Sequence, residues 1–173
     1  MPLNTLAGAY LVAGRNAEAR ALIPELRSAG ADDYTVLPLQ AWLDWREGRR
    51  ADAAAAIDRL RDGRDLDAFL DAAGTWTGAA AATIYAGAGR MADARAIARS
   101  LEQRGAREYV APMLLAASAA AIGDTTAAGT WIRAAHAERA NLAYFSITPY
   151  SEPLRDLPAF REALSSLRIP SVN

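Results

Sequence analysis

The chain has 173 residues, no cysteine and a single histidine, His136. Nineteen cations, all of them arginine, oppose 20 anions for a net charge of -1, which excludes the broad basic footprint of a nucleic-acid binder. Without thiols there are no disulfides, thiolate nucleophiles, iron–sulfur clusters or zinc–thiolate sites, and one histidine excludes a multi-histidine metal site.

The elements follow in chain order. Leu3, Leu6, Ala7 and Tyr10 recur at three and four residues and predict a first helix that ends at Gly14. Ala19, Leu22, Ile23 and Leu26 predict a second helix, and Pro24 inside it predicts a kink or an early end. Leu37 and Ala41 before Gly48, then Ile57 and Leu60 after it, carry a second pair. Tyr85 before Gly89, with Ala94 and Leu101 after it, carries a third. Leu115 and Ala116 before Gly123, with Ile132 and Ala135 after it, carry a fourth.

Residues 64–74 lengthen the spacing between the second and third pairs. Either the next helix extends backwards to about Leu66, or a short helix is inserted at Leu66 to Ala73. Leu142 to Thr148 is short and precedes Pro149, so it reads as an extended connector rather than a strand. Pro158 suits the first turn of a last helix, with Phe160, Leu164 and Leu167 along one face.

Four hexads punctuate these pairs: GRNAEA from Gly14, GRRADA from Gly48, GRMADA from Gly89 and GDTTAA from Gly123. The glycines lie 34, 41 and 34 residues apart, a period that signals stacked repeats. Glycine ends a helix at no steric cost, and the sixth-position alanines Ala19, Ala53, Ala94 and Ala128 allow two helices to approach closely. The expectation is an all-α chain of eight antiparallel helices in four hairpins, with a C-terminal capping helix.

The period and pattern resemble the tetratricopeptide repeat. The carrying residues are Ala7, Tyr10, Gly14, Ala19, Ile23 and Leu26; Ala41, Gly48, Ala53, Ile57 and Leu60; Ala82, Tyr85, Gly89, Ala94, Ala98 and Leu101; and Ala116, Gly123, Ala128, Ile132 and Ala135. Asp44 departs from it, standing where the family has an aromatic. The resemblance implies a right-handed α-solenoid in one domain over 1–173. Its repeats would cover about 1–32, 34–63, 75–106 and 109–139, with a connector and cap over 140–173.

By family register the first helix of each pair lines an apolar concave groove for a partner helix or peptide, which would include Leu11, Leu39, Trp42, Trp45, Arg46, Trp76, Thr83 and Met113. The alternative for Trp42 and Trp45 is packing against the neighbouring repeat and the inserted segment. The last third resembles the C-terminal repeat block of bacterial multidomain regulators, including winged-helix transcription factors, nucleotide cyclases and protein kinases. That implies the regulatory or sensory part of a larger bacterial protein. The alternatives are a self-associating scaffold or the accessory repeat domain of a multidomain enzyme.

No catalytic constellation stands out. His136 has Glu138 and Arg139 nearby but no Gly-x-Ser-x-Gly, and the Gly-Arg turns lack a phosphate-cradling pattern. Arg15, Arg49 and Arg90 recur in register and read as solvated turn residues or a stripe along one edge. The expected protein is not an enzyme, carries no cofactor or metal, and binds protein or peptide rather than nucleic acid or membrane.

The N-terminus lacks a signal-peptide pattern, and the longest uncharged run, Ala72 to Gly89, is too rich in Ala, Gly and Thr for a membrane span, so a cytoplasmic protein is expected. Leu3, Leu6 and Tyr10 would face outward at the first repeat without a cap. They predict either a chain cut from a longer protein or an end that meets a partner, with a homodimer through the first repeat as one form.

Overall fold

The computed structural model describes residues 2–138, 142, 145 and 149–167. Among them the structure is all-α, with no strand. The helices are α1 (Leu3–Val12), α2 (Asn16–Ser28), α3 (Asp33–Arg46), α4 (Arg50–Arg61), α5 (Leu66–Gly87), α6 (Met91–Gly105), α7 (Pro112–Ala121), α8 (Thr125–Ala137) and α9 (Pro158–Ser166), with a 3-10 turn at Pro149–Leu154.

Local chemistry sets these boundaries. The Asp32 carboxylate accepts from Thr35 N at 2.9 Å and opens α3, and Asp124 does the same for Ala127 N at 2.9 Å at the start of α8. Pro112 and Pro158 occupy first turns, where their missing N–H has no intrahelical partner to lose. Pro24 does not end α2 early, because the helix runs on to Ser28. Pro24 is exposed, so the carbonyl it leaves unbonded lies on the solvated side, while Ala19, Leu22 and Leu26 are buried.

The inserted segment is a helix of its own. Gly74, at φ 79° and ψ 163°, divides α5 into two helices, which selects the second of the two predicted arrangements. The Asp65 carboxylate accepts from Ala68 N at 2.8 Å and starts the first of them. The same point separates two compact units, Met1–Ala73 and Gly74–Asn173.

In the N-terminal unit α1 packs on α2, α2 on α3 and α3 on α4. Ala7, Leu22, Leu26 and Val36 form one buried cluster, with Leu3, Leu6, Tyr10 and Leu39 packed on it. In the C-terminal unit α6 packs on α7, α7 on α8, and α8 on α9. Phe160, Ala163 and Leu164 of α9 are buried, but Leu167 is 46% exposed and is not part of the predicted face. Leu142 and Phe145 are helical and buried, so the extended connector does not hold at those two positions. The rest of residues 143–148 before Pro149 lies outside the described residues.

The four hexads build the same turn four times. Gly14, Gly48, Gly89 and Gly123 have φ of 75°, 79°, 78° and 82°, the left-handed region that an L side chain enters only under strain. Each glycine N–H donates to the carbonyl three residues back, on Leu11, Trp45, Ala86 and Ala120. Each following N–H donates to the carbonyl five residues back: Arg15 to Tyr10, Arg49 to Asp44, Arg90 to Tyr85 and Asp124 to Ala119, at 2.8–2.9 Å. This is the paired bond of the Schellman cap. Seven residues before each glycine stand Ala7, Ala41, Ala82 and Ala116, and five after it Ala19, Ala53, Ala94 and Ala128, all at 0% exposure. A methyl at each of these positions leaves no room for a larger side chain.

Candidate functional site

The groove residues read from the sequence fall mostly in the core. Leu11, Trp42, Trp45, Thr83 and Met113 are buried. Trp42 and Trp45 meet edge to face, with ring centroids 6.4 Å apart, and the Arg50 guanidinium lies 3.4 Å from the Trp45 ring centre. Both tryptophans are therefore packing residues of the N-terminal unit in the chain by itself. Leu39 is half-buried. Arg46 is exposed overall, but its Nη1 donates to the Leu11 carbonyl at 2.6 Å and ties the end of α3 to the end of α1. Trp76 reaches solvent, at 42% exposure, with one side tilted against Phe145 at 5.6 Å between centroids. Leu3, Leu6 and Tyr10 are half-buried rather than fully exposed.

His136 is exposed, with Nε2 2.9 Å from Ser166 Oγ. Ser166 gives its own proton to the Ala163 carbonyl at 2.7 Å. Among the described residues no group of three or more metal-ligating side chains is placed to hold an ion, and no helix is long and apolar enough to cross a membrane.

The recurring turn arginines keep part of their length in water, but each also reaches back to the side chain four residues before its glycine. Arg15 lies over the Tyr10 ring at 4.4 Å and Arg90 over the Tyr85 ring at 4.3 Å. Arg49 instead hydrogen-bonds the Asp44 carboxylate, where the sequence has an acid in place of the aromatic. Each also pairs with an acid three residues on: Glu18 at 2.8 Å, Asp52 at 3.7 Å and Asp93 at 2.9 Å. In the fourth repeat Ala119 takes the place of the aromatic and Asp124 that of the arginine. The signal is present in the sequence, but only in the joint choice of the two positions: Tyr with Arg, Asp with Arg, Tyr with Arg, Ala with Asp.

Depressions lie beside the Gly48 and Gly123 turns. In the N-terminal unit an open depression of about 540 Å³ is lined by Gln40, Asp44, Glu47, Arg49 and Asp52, with Arg20, Ala55 and Arg59. Arg20 bonds Asp44 at 2.9 Å and Glu47 at 3.1 Å, and Arg49 bonds both carboxylates, so one network joins α2, α3 and the start of α4. Burial works to raise the Glu47 carboxyl, but the hydrogen bonds from Arg20 and Arg49 overcome it and hold it below the ordinary carboxylate range. Asp44, and Glu47 after it, raise Arg49 above its usual value.

In the C-terminal unit a smaller depression of about 50 Å³ lies between α6, α7 and α8. It is lined by Leu115, Ala119, Ile122, Asp124 and Ala127 at the same five offsets from the glycine, with Trp131 at its side. Thus one location is built twice, once from charges and once mainly from apolar side chains.

No family model matches the chain, and no curated protein or solved structure matches it either.

Proposed function

We propose that the chain is a non-catalytic protein-interaction module of tetratricopeptide-repeat type, a right-handed solenoid of four antiparallel helix hairpins that binds a partner helix or peptide. The observation that carries this reading is the fourfold recurrence of one cap, with fully buried alanines at the same distance on either side. A repeated scaffold held by invariant small contacts leaves its other side chains free to serve recognition. The resemblance of the last third supports a place in a larger bacterial regulator.

Because Trp42 and Trp45 are buried, partner contact in this reading falls to side chains that reach water. Leu39 and Arg46 are such residues in the N-terminal unit, and Trp76 is one in the C-terminal unit. The test is capture of partners from a lysate by the native chain, beside a Trp76→Ser variant and a Leu39→Ser variant of verified fold. A partner held by the native chain and lost by either variant supports the module and names its pathway. Identical capture by all three sinks the surface assignment, and capture of nothing sinks the binding function.

A further inference from the structure

We infer that the charged depression lined by α2, α3 and α4 holds one carboxylate of a peptide partner, from an aspartate or glutamate side chain. The inference rests on the protein-binding reading above and deepens it by naming the residue type recognised. At about 540 Å³ the depression falls within the roughly 300–1,000 Å³ of small-ligand sites, so it has room for such a side chain. Three arginines and three acids line it. The acids are already engaged. Asp44 accepts from Arg20 and Arg49, Glu47 pairs with both as well, and Asp52 lies 3.7 Å from Arg49. Arg59 and Gln40, by contrast, have no hydrogen-bond or ion-pair partner among the described residues. The lining is left with a guanidinium and an amide to offer, and so with an excess of N–H donors over acceptors.

The uncommitted charge is a single cation, which one carboxylate matches. A planar carboxylate also fits the guanidinium fork with two parallel bonds. A phosphate dianion would bring a second negative charge among three acids. Asp44 and Glu47 each lie against two guanidinium groups, which offset their charge toward an incoming anion. Asp52 stands seven residues before Arg59 on α4, so their Cα atoms are about 10 Å apart along the helix. Ala55 between them carries only a methyl, and Arg59 is exposed, so the approach along α4 is open.

The test titrates the full chain with the α-amide of N-acetyl-glutamic acid and, in parallel, with its neutral isostere, N-acetyl-glutamine amide. Arginine Nε–H, glutamine side-chain and backbone amide shifts are followed by two-dimensional NMR at pH 7 and low salt. The expected result is saturable shifts at Arg59 and Gln40 with the glutamate compound, with a Kd on the order of 1–10 mM for so small a ligand. The glutamine compound and inorganic phosphate at equal ionic strength should bind more weakly. Arg59→Gln, at an exposed position, should weaken the response about tenfold, and Gln40→Ala about two- to threefold. Arg161→Gln, outside the depression, should leave it unchanged. No shifts, equal shifts with the two compounds, tighter binding of phosphate, or a response that survives Arg59→Gln would overturn the assignment. The titration needs no partner, so it separates the two readings. A chain that captures a partner from lysate but shows no shifts loses this site and keeps its function. A chain that shows the shifts but captures nothing loses the peptide as occupant.

Discussion

The depressions beside Gly48 and Gly123 occupy the same location in their repeats, and the five positions they share differ in every side chain: the first depression is mainly charged, the second mixes apolar walls with Arg99, Glu102 and Asp124. One is lined by Gln40, Asp44, Glu47, Arg49 and Asp52, the other by Leu115, Ala119, Ile122, Asp124 and Ala127. The backbone beneath them does not differ: both glycines are left-handed and both caps make the same two bonds. Stability of the turn therefore resides in the glycine, the backbone bonds and the buried alanines. The five lining positions are left to be charged or apolar without disturbing the frame. In the first and third repeats the same position holds Tyr10 and Tyr85, and an arginine lies over each ring.

The comparison breaks most severely at Asp44. Asp44 is 5% exposed and bonds two arginines, so Asp44→Ala leaves Arg20 and Arg49 with only the more exposed Glu47 as a shared acceptor. Removing one partner of a buried pair costs about 3–5 kcal/mol. Both arginines are partly solvated here and keep Glu47, so the expected loss in a denaturant melt is about 2–3 kcal/mol. Asp44→Tyr sharpens the point: Arg49 can then lie over a ring as Arg15 does, and the loss should be smaller than for Ala.

The frame itself should be less tolerant than the lining. Ala128→Leu enlarges a side chain at a position of 0% exposure and should cost about 1–3 kcal/mol. Ala127→Leu, one residue earlier and half-exposed, should change stability by less than about 0.5 kcal/mol. Parallel urea melts of the two variants check this contrast.

The charged site should also respond to pH through Glu47. Glu47 has its folded-state pKa depressed, so its contribution is present above the ordinary carboxylate range and is lost as pH falls through the folded value. Local opening of the N-terminal unit, followed by hydrogen exchange near Glu47, should rise below about pH 4. Glu47→Gln should flatten that dependence, while exchange near Ile122 keeps its own profile. A modest effect belongs to the tyrosine sites. Arg90→Ala removes the guanidinium over Tyr85 and should cost about 0.5–1 kcal/mol, isolated by a double-mutant cycle with Tyr85→Leu.

Much of the frame is legible in the sequence because glycine and alanine at fixed offsets have few structural substitutes. The helix pairs, the turns and the close-contact alanines follow from that spacing. The insertion is different: a helix through Gly74 and a break at Gly74 fit the same residues, and only its φ of 79° separates them. Pro24 has less effect than its position in the chain suggests because it falls on the solvated side of α2.

The site is less legible. Family register places Trp42 and Trp45 on the inward side of a helix, but register does not count neighbours, and in this chain those neighbours bury both rings. The arginine over each tyrosine is hidden in the sequence because it joins two positions five residues apart across a turn. Neither position is unusual by itself.

The central claim is that one frame carries interchangeable linings, and a structure of the Ala119→Tyr/Asp124→Arg variant tests it most directly. That variant gives the fourth repeat the pair found in the first and third. The account predicts an unchanged Gly123 cap, the introduced phenol ring seated in the former depression, and the new guanidinium over that ring at a distance near the 4.3 Å seen at Tyr85. A ring turned out into solvent, or a fourth repeat that loses its cap, would contradict it.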